Sequence, residues 1–367
     1  MTIQCSNPRA QYLAHKSEID SAVKNVFEGG HYILGRNVES FEKEFAGYIG
    51  TKYGIGVASG TEALHIALRA CGVRPGDEVI TSGHTAVATV VAIELAGAVP
   101  VLVDIEPDYY TMDPCKLKKA ISRRTKVIIP VHIYGQCADL LPIIKIASHY
   151  GIKVIEDCAQ ATGAAYAKKR AGSWGLVSAF SFYPTKNLGA MGDGGMVVTS
   201  DSLIARKSRL LREYGWRKGK VSEMAGWNSR LDELQAAILR VKLKYLDSDN
   251  RSRLRLAGIY QDGLSGSGLA LPSCRPGASH VYHLYVIRSR SRDNLIAHLR
   301  SNDIGALIHY PVPVHRQKAY SGRVRVSCGG LPETIRASGE ILSLPIYPEL
   351  RAGEINKVIR NIKSFMV

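Results

Sequence analysis

Short runs of β-branched and apolar residues alternate with longer segments of helical periodicity over the first 250 residues of the chain. The short runs predict seven strands, since a buried strand needs only about four to eight apolar residues. The predicted strands cover residues 54–58, 78–81, 99–104, 127–133, 154–157, 179–183 and 196–199. The longer segments predict helices over residues 61–71, 86–96, 113–120, 139–150 and 202–213. This alternation is typical of an α/β protein with a mostly parallel seven-stranded sheet that helices flank on both faces.

The pattern changes in the second part of the chain. Leucine, alanine, isoleucine and valine recur at helical spacing over residues 231–246 and predict a helix there. Beyond residue 250 the pattern is mixed, with a strand predicted at 282–288 and helices at 292–301 and 355–365. We therefore predict a large α/β domain, with the N-terminal segment packed on it, and a smaller C-terminal α+β domain. The predicted domains cover residues 1–245 and 246–367.

The composition is that of an ordinary globular protein, with 46% hydrophobic and 22% charged residues, which excludes disordered and fibrous proteins. No apolar run approaches the roughly 20 residues of a membrane span, and the first 13 residues lack the apolar core of a secretion signal. The seven cysteines are scattered without a CxxC pair, so neither a disulfide framework nor a structural zinc site is expected. We expect a reduced, cytoplasmic protein with no membrane partner and no bound metal.

Basic residues outnumber acidic ones by 48 to 32, which gives a formal net charge of +16. An excess of this size suits an anionic partner, and nucleic acid, a membrane surface and a phosphorylated substrate all satisfy it. A basic surface that contacts only solvent is an equally simple explanation. Because charge alone does not select among these, the residues that follow the predicted strands carry more information.

Ligands of a parallel sheet bind beyond the carboxyl ends of its strands, so chemistry is expected there. After the first strand, residues 58–64 read ASGTEAL, a turn of small residues that opens a helix. Such a turn offers free backbone N–H groups to a phosphate, and the helix dipole favours the negative charge. Ser59 or Thr61 would add a hydroxyl, although an ordinary capped helix start explains the same residues.

Two further strand ends carry reactive groups. Asp157 ends an apolar strand, where a buried carboxylate needs a cationic partner or hydrogen-bond donors; a helix cap is the alternative role. Lys186 lies in a loop framed by proline and glycine, and a desolvated lysine can form a Schiff base, although most lysines are surface residues. Together, a phosphate-binding turn, an aspartate and a lysine are what pyridoxal 5'-phosphate (PLP) requires. The lysine holds the aldehyde, and the carboxylate keeps the pyridine nitrogen protonated.

Eight segments, in order along nearly the whole chain, resemble the DegT/DnrJ/StrS family of sugar aminotransferases, which are fold type I PLP enzymes. The segments are SGTEAL (59–64), GDEVI (76–80), PVHIYGQCAD (130–139), VIEDCAQATGA (154–164), SFYPTKNLGAMGDGG (181–195), NSRLDELQAAIL (228–239), HYPVPVH (309–315) and LSLPIYPEL (342–350). The resemblance implies an aspartate-aminotransferase-like fold. It also implies a ping-pong reaction, in which an amino group moves from L-glutamate to PLP, giving its amine form (PMP), and then to a nucleotide-linked keto-sugar.

The resemblance also implies roles for individual residues. Lys186 corresponds to the Schiff-base lysine that shuttles the proton, and Asp157 to the partner of the pyridine nitrogen. Gln160 corresponds to the residue that contacts the ring hydroxyl. Asn228 corresponds to an asparagine that reaches the phosphate across a dimer interface, so a homodimer with shared active sites is implied. The other implied phosphate contacts are Gly60, Thr61 and Ser181.

One departure from the family pattern bears on the cofactor; the other, Asp193 where glutamate is common, is conservative. Many members have an aromatic residue that stacks on the pyridine ring where this chain has Ala86. We expect His84 to contact the cofactor ring instead, with weaker stacking on the ring as the alternative. A second position separates two reactions, because relatives that deoxygenate sugars have histidine in place of Lys186. The lysine therefore favours transamination over dehydration.

The acceptor substrate is less closely defined by the sequence. We expect Tyr183, His309 and His315 near the sugar or its diphosphate, with packing at the mouth of the site as the alternative. The chain resembles members that act on dTDP-3-keto-6-deoxyhexoses and yield 3-amino sugars; 4-keto sugars and keto-inositols are alternative acceptors. A PLP-binding regulatory protein without transamination is the alternative from a different class. A nucleic-acid partner is not expected, since the sequence has no recognition helix or basic aromatic surface.

Overall fold

The computed structural model describes residues 2–366; residues 1 and 367, the outer limits of the two predicted domains, lie outside the described residues. The strands are β1 (Tyr53–Val57), β2 (Glu78–Ser82), β3 (Val99–Val103), β4 (Thr125–Ile129), β5 (Lys153–Asp157), β6 (Ala165–Tyr166), β7 (Lys169–Arg170), β8 (Val177–Ser181), β9 (Gly195–Thr199), β10 (Tyr285–Arg288), β11 (Arg325–Val326) and β12 (Ile341–Leu344). The helices are α1 (Pro8–Ala14), α2 (Lys16–Gly29), α3 (Arg36–Ile49), α4 (Gly60–Ala70), α5 (Val87–Leu95), α6 (Pro114–Ala120), α7 (Leu140–His149), α8 (Ser202–Leu211), α9 (Glu233–Leu243), α10 (Leu246–Leu264), α11 (Arg292–Ser301), α12 (Pro332–Glu340) and α13 (Ala352–Met366). Among residues 2–366, no helix combines the length and the apolar character needed to cross a membrane.

Eight strands form one sheet, in the order β1-β9-β8-β5-β4-β2-β3-β11. Neighbouring strands are parallel except around β9, which lies antiparallel between β1 and β8. The mostly parallel sheet is thus confirmed, and all seven predicted strands are present with altered bounds. The strand predicted to reach residue 133 ends at Ile129, because Pro130 has no N–H for the ladder. The eighth strand, β11, is a two-residue edge strand that the sequence did not predict.

Helices cover both faces of this sheet, and alternate residues of each strand face opposite layers. Ala179 of β8 belongs to the apolar cluster formed with α4, α5 and α8. The next residue, Phe180, belongs to the cluster on the other face, where it packs against Phe45 of α3 with ring centroids 5.0 Å apart. Strands buried on both faces read as continuous apolar runs. The sheet therefore places the carboxyl ends of its parallel strands at one well-packed edge.

The C-terminal part of the chain builds a second apolar core. Helices α10, α11 and α13 pack around the antiparallel pair of β10 and β12, and Ile3 joins the same cluster. The helix predicted over residues 231–246 begins later and ends earlier, as α9, and the following helix starts at Leu246. The predicted domain boundary therefore falls in the short connection between α9 and α10. The division into domains at this position stays a prediction.

Candidate active site

The amino terminus of α4 lies against the end of β8. Ser59 caps the helix, and its Oγ accepts a hydrogen bond from the Glu62 N–H at 3.2 Å. Gly60 approaches β8 so closely that a Cβ on it would lie 2.6 Å from the Cβ of Ser181. A Cβ on Gly195, at the start of β9, would lie 2.2 Å from the carbonyl oxygen of Ser59. The two glycines thus bring free N–H groups of α4 beside the Ser181 hydroxyl, an arrangement suited to a phosphate.

Asp157 is the last residue of β5, and its carboxylate is buried. Its Oδ2 accepts a hydrogen bond from Thr89 Oγ1 at 2.8 Å, and its Oδ1 accepts one from the Ala159 N–H at 3.1 Å. Burial raises the pKa of this carboxyl, and the two hydrogen bonds oppose that rise. Within residues 2–366, no cationic side chain forms an ion pair with Asp157. The carboxylate is therefore able to accept a cationic ligand group.

Thr85 supports the hydrogen bond from Thr89 to Asp157. The hydroxyls of Thr85 and Thr89 lie 2.8 Å apart, and both residues are buried. Because the Thr89 hydroxyl donates its only proton to the carboxylate, Thr85 must donate to the Thr89 oxygen. The two threonines, before and within α5, therefore orient a donor toward Asp157.

Lys186 follows β8 in a tight loop. Its backbone N–H donates to the Tyr183 carbonyl at 2.8 Å, and a Cβ on Gly189 would lie 2.4 Å from the Pro184 carbonyl oxygen. Lys186 as a whole is partly buried, but its amino group is enclosed. Burial lowers the pKa of this amino group to about 8, and the negative charge of Asp157 opposes the decrease. About a tenth of Lys186 is therefore neutral at pH 7, and this neutral fraction is the nucleophilic form of the amine.

These elements surround a cavity of about 240 Å³. Its wall contains most of the residues that the sequence nominated, namely Gly60, Thr61, Asp157, Gln160, Ser181, Tyr183 and Lys186. The wall therefore combines a phosphate-binding helix terminus, a carboxylate without an ion-pair partner and a lysine with a lowered pKa. This donor set matches the phosphate, ring nitrogen and aldehyde of PLP, so the residues present fit that cofactor.

Gln160 is held by two tyrosines. Its Oε1 accepts a hydrogen bond from the Tyr134 N–H at 2.7 Å, and its Nε2 donates to Tyr310 Oη at 3.0 Å. Burial and the charge of Asp157 raise the pKa of Tyr310 to about 12, so this hydroxyl remains protonated. The amide of Gln160 is thus fixed at the wall of the cavity. Tyr310 is not among the candidate site residues that the sequence nominated.

His84 lies apart from the wall of the cavity. Its ring is buried, its Nε2 bonds the Tyr134 hydroxyl, and burial lowers its pKa to about 4. The Tyr134 hydroxyl in turn donates to the carbonyl of His309. The residues that line the cavity at this side are small, namely Ala86 and Ala88. A direct contact of His84 with the cofactor ring stays a prediction.

The other nominated residues are spread around the site. The His309 Nδ1 lies 2.9 Å from the Ser343 hydroxyl, and burial together with the charge of Lys186 lowers the pKa of His309 to about 4. His315 is half-buried, and burial and the adjacent Arg316 lower its pKa. Asn228 is exposed beside the end of α8. Of the two histidines, His309 is the one whose pKa is lowered by the charge of Lys186.

A buried pair holds the strand that presents Asp157. His132 Nδ1 accepts from the Ala138 N–H at 3.0 Å, so its Nε2 donates to Glu156 Oε2 at 2.9 Å. Glu156 also accepts from the N–H groups of Trp174 and Gly175, each at 2.7 Å. The His132 N–H donates to the Asp157 carbonyl at 3.0 Å. Although His132 and Glu156 lie near Cys158 in a metal-like cluster, the carboxylate is already used by backbone donors. The cluster therefore acts as a support for β5.

Comparisons with known proteins identify the family of this chain. A family model described as the DegT/DnrJ/EryC1/StrS aminotransferase family matches residues 14–363. The dTDP-3-amino-3,4,6-trideoxy-alpha-D-glucose transaminase of Streptomyces venezuelae is 44% identical over 358 residues, which cover 97% of this chain and 94% of that protein. The crystal structure of S. venezuelae DesV in complex with a ketimine intermediate has a TM-score of 0.97 and 44% identity, covering 100% of this chain and 98% of that chain. The structure of ntda from Bacillus subtilis with bound cofactor PMP has a TM-score of 0.88 and 33% identity, covering 96% of this chain and 82% of that chain.

Proposed function

Because this chain belongs to the DegT/DnrJ/EryC1/StrS aminotransferase family and is a sugar aminotransferase, we propose that it uses PLP bound through Lys186. The amino donor is L-glutamate, and the acceptor is a nucleotide-linked 3-keto-6-deoxyhexose. The observation that carries the proposal is the shared cavity. Lys186, with its lowered pKa, and Asp157, without an ion-pair partner, line that cavity together with the free amino terminus of α4.

Each wall residue has a separate task in this proposal. When bound, PLP supplies an electron-accepting ring that stabilises the charge left on a substrate carbon after proton loss. Asp157 holds a proton at the ring nitrogen, and Thr89 keeps that carboxylate ionised. Neutral Lys186 Nζ removes the proton from the amino-bearing carbon of the donor and returns a proton in the second half-reaction. The N–H groups of Gly60 and Thr61, with the Ser181 hydroxyl, bind the phosphate.

The acceptor class is supported by the relatives, and the size of the cavity bears on where the nucleotide of the acceptor lies. The similar S. venezuelae protein carries the name of a dTDP-3-amino sugar transaminase. A cavity of about 240 Å³ is smaller than the roughly 300–1,000 Å³ of sites that enclose drug-sized ligands. It is suited to the cofactor, and the nucleotide then lies outside it, near Tyr183 and His309. A panel of dTDP-linked 3-keto and 4-keto sugars and a keto-inositol tests the choice, with turnover of the 3-keto sugar expected to be fastest.

We further propose a cytoplasmic homodimer whose active sites each use Asn228 of the partner subunit. Asn228 is exposed in the single chain, although the resemblance relates it to a phosphate contact. The test mixes two inactive variants, Lys186→Ala and Asn228→Asp, under conditions that exchange subunits. A mixed dimer then has one intact site, so about a quarter of wild-type activity is expected after random exchange. If Asn228 serves its own chain, every site in the mixture is damaged and no activity returns.

The first experiment on the proposed reaction is a visible spectrum of the purified protein before and after L-glutamate. We expect a yellow protein whose visible band falls when L-glutamate converts the cofactor to its amine form. The Lys186→Ala variant is the control and should show neither the lysine-dependent band nor turnover. A band that ignores L-glutamate indicates another donor or the regulatory alternative. Absence of a band in the presence of added PLP contradicts the proposal.

A further inference from the structure

A second and larger cavity lies at the opposite edge of the sheet from the candidate active site. Three connections surround it: residues 71–77 before β2, 121–124 before β4 and 150–152 before β5. Its volume is about 940 Å³. Since these strands are five residues long, about 16 Å of strand separates their amino ends from the edge that carries Asp157. The cavity is therefore a separate feature of the molecule.

The wall of this cavity is strongly basic. Arg74, Arg123, Lys126 and Lys153 line it, against a single carboxylate from Asp77. Asp77 Oδ2 accepts a hydrogen bond from the Arg74 backbone N–H at 2.9 Å. In the described part of the chain, no acidic side chain forms an ion pair with Arg74, Arg123 or Lys126, whereas the adjacent Arg124 pairs with Glu78. Three like charges around one concavity repel one another, and a bound anion would relieve that repulsion.

The dipoles of the neighbouring helices account for only one of these cations. Helices α4 and α7 end at this edge, and helix carboxyl termini attract positive charge. Lys153 serves that purpose, because its Nζ donates to the Cys71 carbonyl at 2.6 Å. Arg74, Arg123 and Lys126 are exposed, and none of their side chains donates to a helix carbonyl among the described residues. Their convergence on the cavity therefore needs another explanation.

The cavity also has an apolar side with an aromatic ring. Tyr150 is 43% exposed, and its ring is braced by His149 in an edge-to-face contact with centroids 4.8 Å apart. Ile121 and Ile152 flank it and are partly buried. In basic grooves that bind nucleic acids, aromatic side chains stack on nucleobases. The cavity volume lies within the roughly 300–1,000 Å³ range of ligand sites. The Tyr150 ring and the cations that line the cavity match a molecule that has both a flat base and phosphates.

We propose that this cavity binds a nucleoside di- or triphosphate, with the base on Tyr150 and the phosphates on Arg123, Lys126 and Arg74. The proposal does not depend on the sugar aminotransferase reaction, since the cavity shares no residue with the candidate active site. It accounts for part of the net charge of +16 without assigning that part to the acceptor substrate.

Equilibrium dialysis of the PLP-loaded protein with labelled ATP tests the proposal. PLP occupies the phosphate-binding turn of α4, so the measurement reports on other anion sites. We expect ATP binding that is at least tenfold weaker in Arg123→Ala/Lys126→Ala. The matched control is Lys118→Ala/Lys119→Ala, which removes the same charge from exposed positions of α6 outside the cavity. Equal ATP binding by the cavity variant and the wild type overturns the proposal.

The nucleoside part of the proposal has its own test. Tyr150→Ala is expected to weaken ATP binding while leaving the binding of inorganic triphosphate unchanged. If triphosphate binds the wild type as tightly as ATP does and Tyr150→Ala changes neither, the cavity is an inorganic-anion site and the proposal is wrong. Displacement of ATP by duplex DNA at a lower concentration than by unlabelled ATP would also overturn it. The visible band and its response to L-glutamate, recorded on the same samples, report separately on the proposed reaction.

Discussion

Replacement of Thr89 by valine removes two hydrogen bonds from the candidate active site, the one that Thr89 donates to Asp157 and the one that it accepts from Thr85. The Thr89 hydroxyl donates to Asp157 Oδ2 at 2.8 Å, and both residues are buried. A hydrogen bond to a charged group contributes about 1.5–3 kcal/mol, and about 1.4 kcal/mol corresponds to one pKa unit. The pKa of Asp157, which burial already raises, is therefore expected to rise further by about one to two units in Thr89→Val.

The consequence is measurable in the half-reaction with L-glutamate. A less ionised Asp157 holds the proton on the ring nitrogen less well, so the first half-reaction should slow by about 10- to 100-fold on the acid limb of its pH profile, where protonation of Asp157 limits the rate. The acid limb of its pH profile should move to higher pH. Stopped-flow recording of the visible band between acid and neutral pH gives both quantities. Thr89→Ser is the matched control, because it keeps the hydroxyl and should retain most of the rate.

Two results would refute this reasoning. If Thr89→Val has the wild-type rate and the wild-type acid limb, the ionisation of Asp157 does not depend on the threonine. If Thr89→Ser, which keeps the hydroxyl, is as slow as Thr89→Val, the rate does not depend on the hydrogen bond from Thr89 to Asp157. Thr85→Val should have a smaller effect than Thr89→Val, since Thr85 contacts the carboxylate only through Thr89.

Three further predictions concern buried charges. With a pKa of about 8 instead of 10.5, the neutral fraction of Lys186 at pH 7 is about 300-fold larger. The rate at which the apo-protein takes up PLP should therefore rise with pH around a midpoint near 8. A midpoint near 10 would contradict the lowered pKa. Asp157→Asn should keep the fold, as judged by circular dichroism, but lose most of the turnover, and near-normal steady-state activity would disprove the role of the carboxylate. Lys242 is buried and donates to the Gly189 carbonyl in the loop that follows Lys186. Lys242→Met should therefore lower the free energy of unfolding by about 1–3 kcal/mol. Thermal denaturation checks this value, with the exposed Lys244→Met as the control, which should change the free energy of unfolding by less than about 0.5 kcal/mol.

The sequence predicted the positions of the strand-end residues well, because these positions depend on local sequence. Asp157 and Lys186 each follow an apolar run within a few residues, and Gly60 opens a helix directly after a strand. In a mostly parallel sheet, such positions meet at one edge regardless of the exact strand bounds. The structure accordingly brings these residues to one cavity, although the bounds of several strands were predicted with errors of two or more residues.

The features of the structure that the sequence did not predict depend on contacts between segments that are distant in the chain. Thr89 is one polar residue in the apolar helix α5, and its partner Asp157 lies 68 positions away in the chain. Tyr310 reaches Gln160 across 150 positions. The edge strand β11 consists of an exposed arginine and an exposed valine, which give no periodic signal. Such pairings cannot be found from spacing alone, because nothing in the neighbouring residues distinguishes them from ordinary helix or loop positions.

Asp157 and Lys186 lower the stability of the folded chain when no ligand is bound. Burial raises the pKa of Asp157 and lowers the pKa of Lys186, so the ionised form of each is disfavoured by its surroundings. Their opposite charges offset part of this cost but do not form an ion pair. A ligand that carries a protonated ring nitrogen to Asp157 and a carbonyl carbon to Lys186 removes both sources of strain, and its phosphate finds the N–H groups of α4. Since a ligand that binds only the folded state stabilises that state by mass action, we expect Asp157 and Lys186, which weaken the chain alone, to contribute to its affinity for PLP.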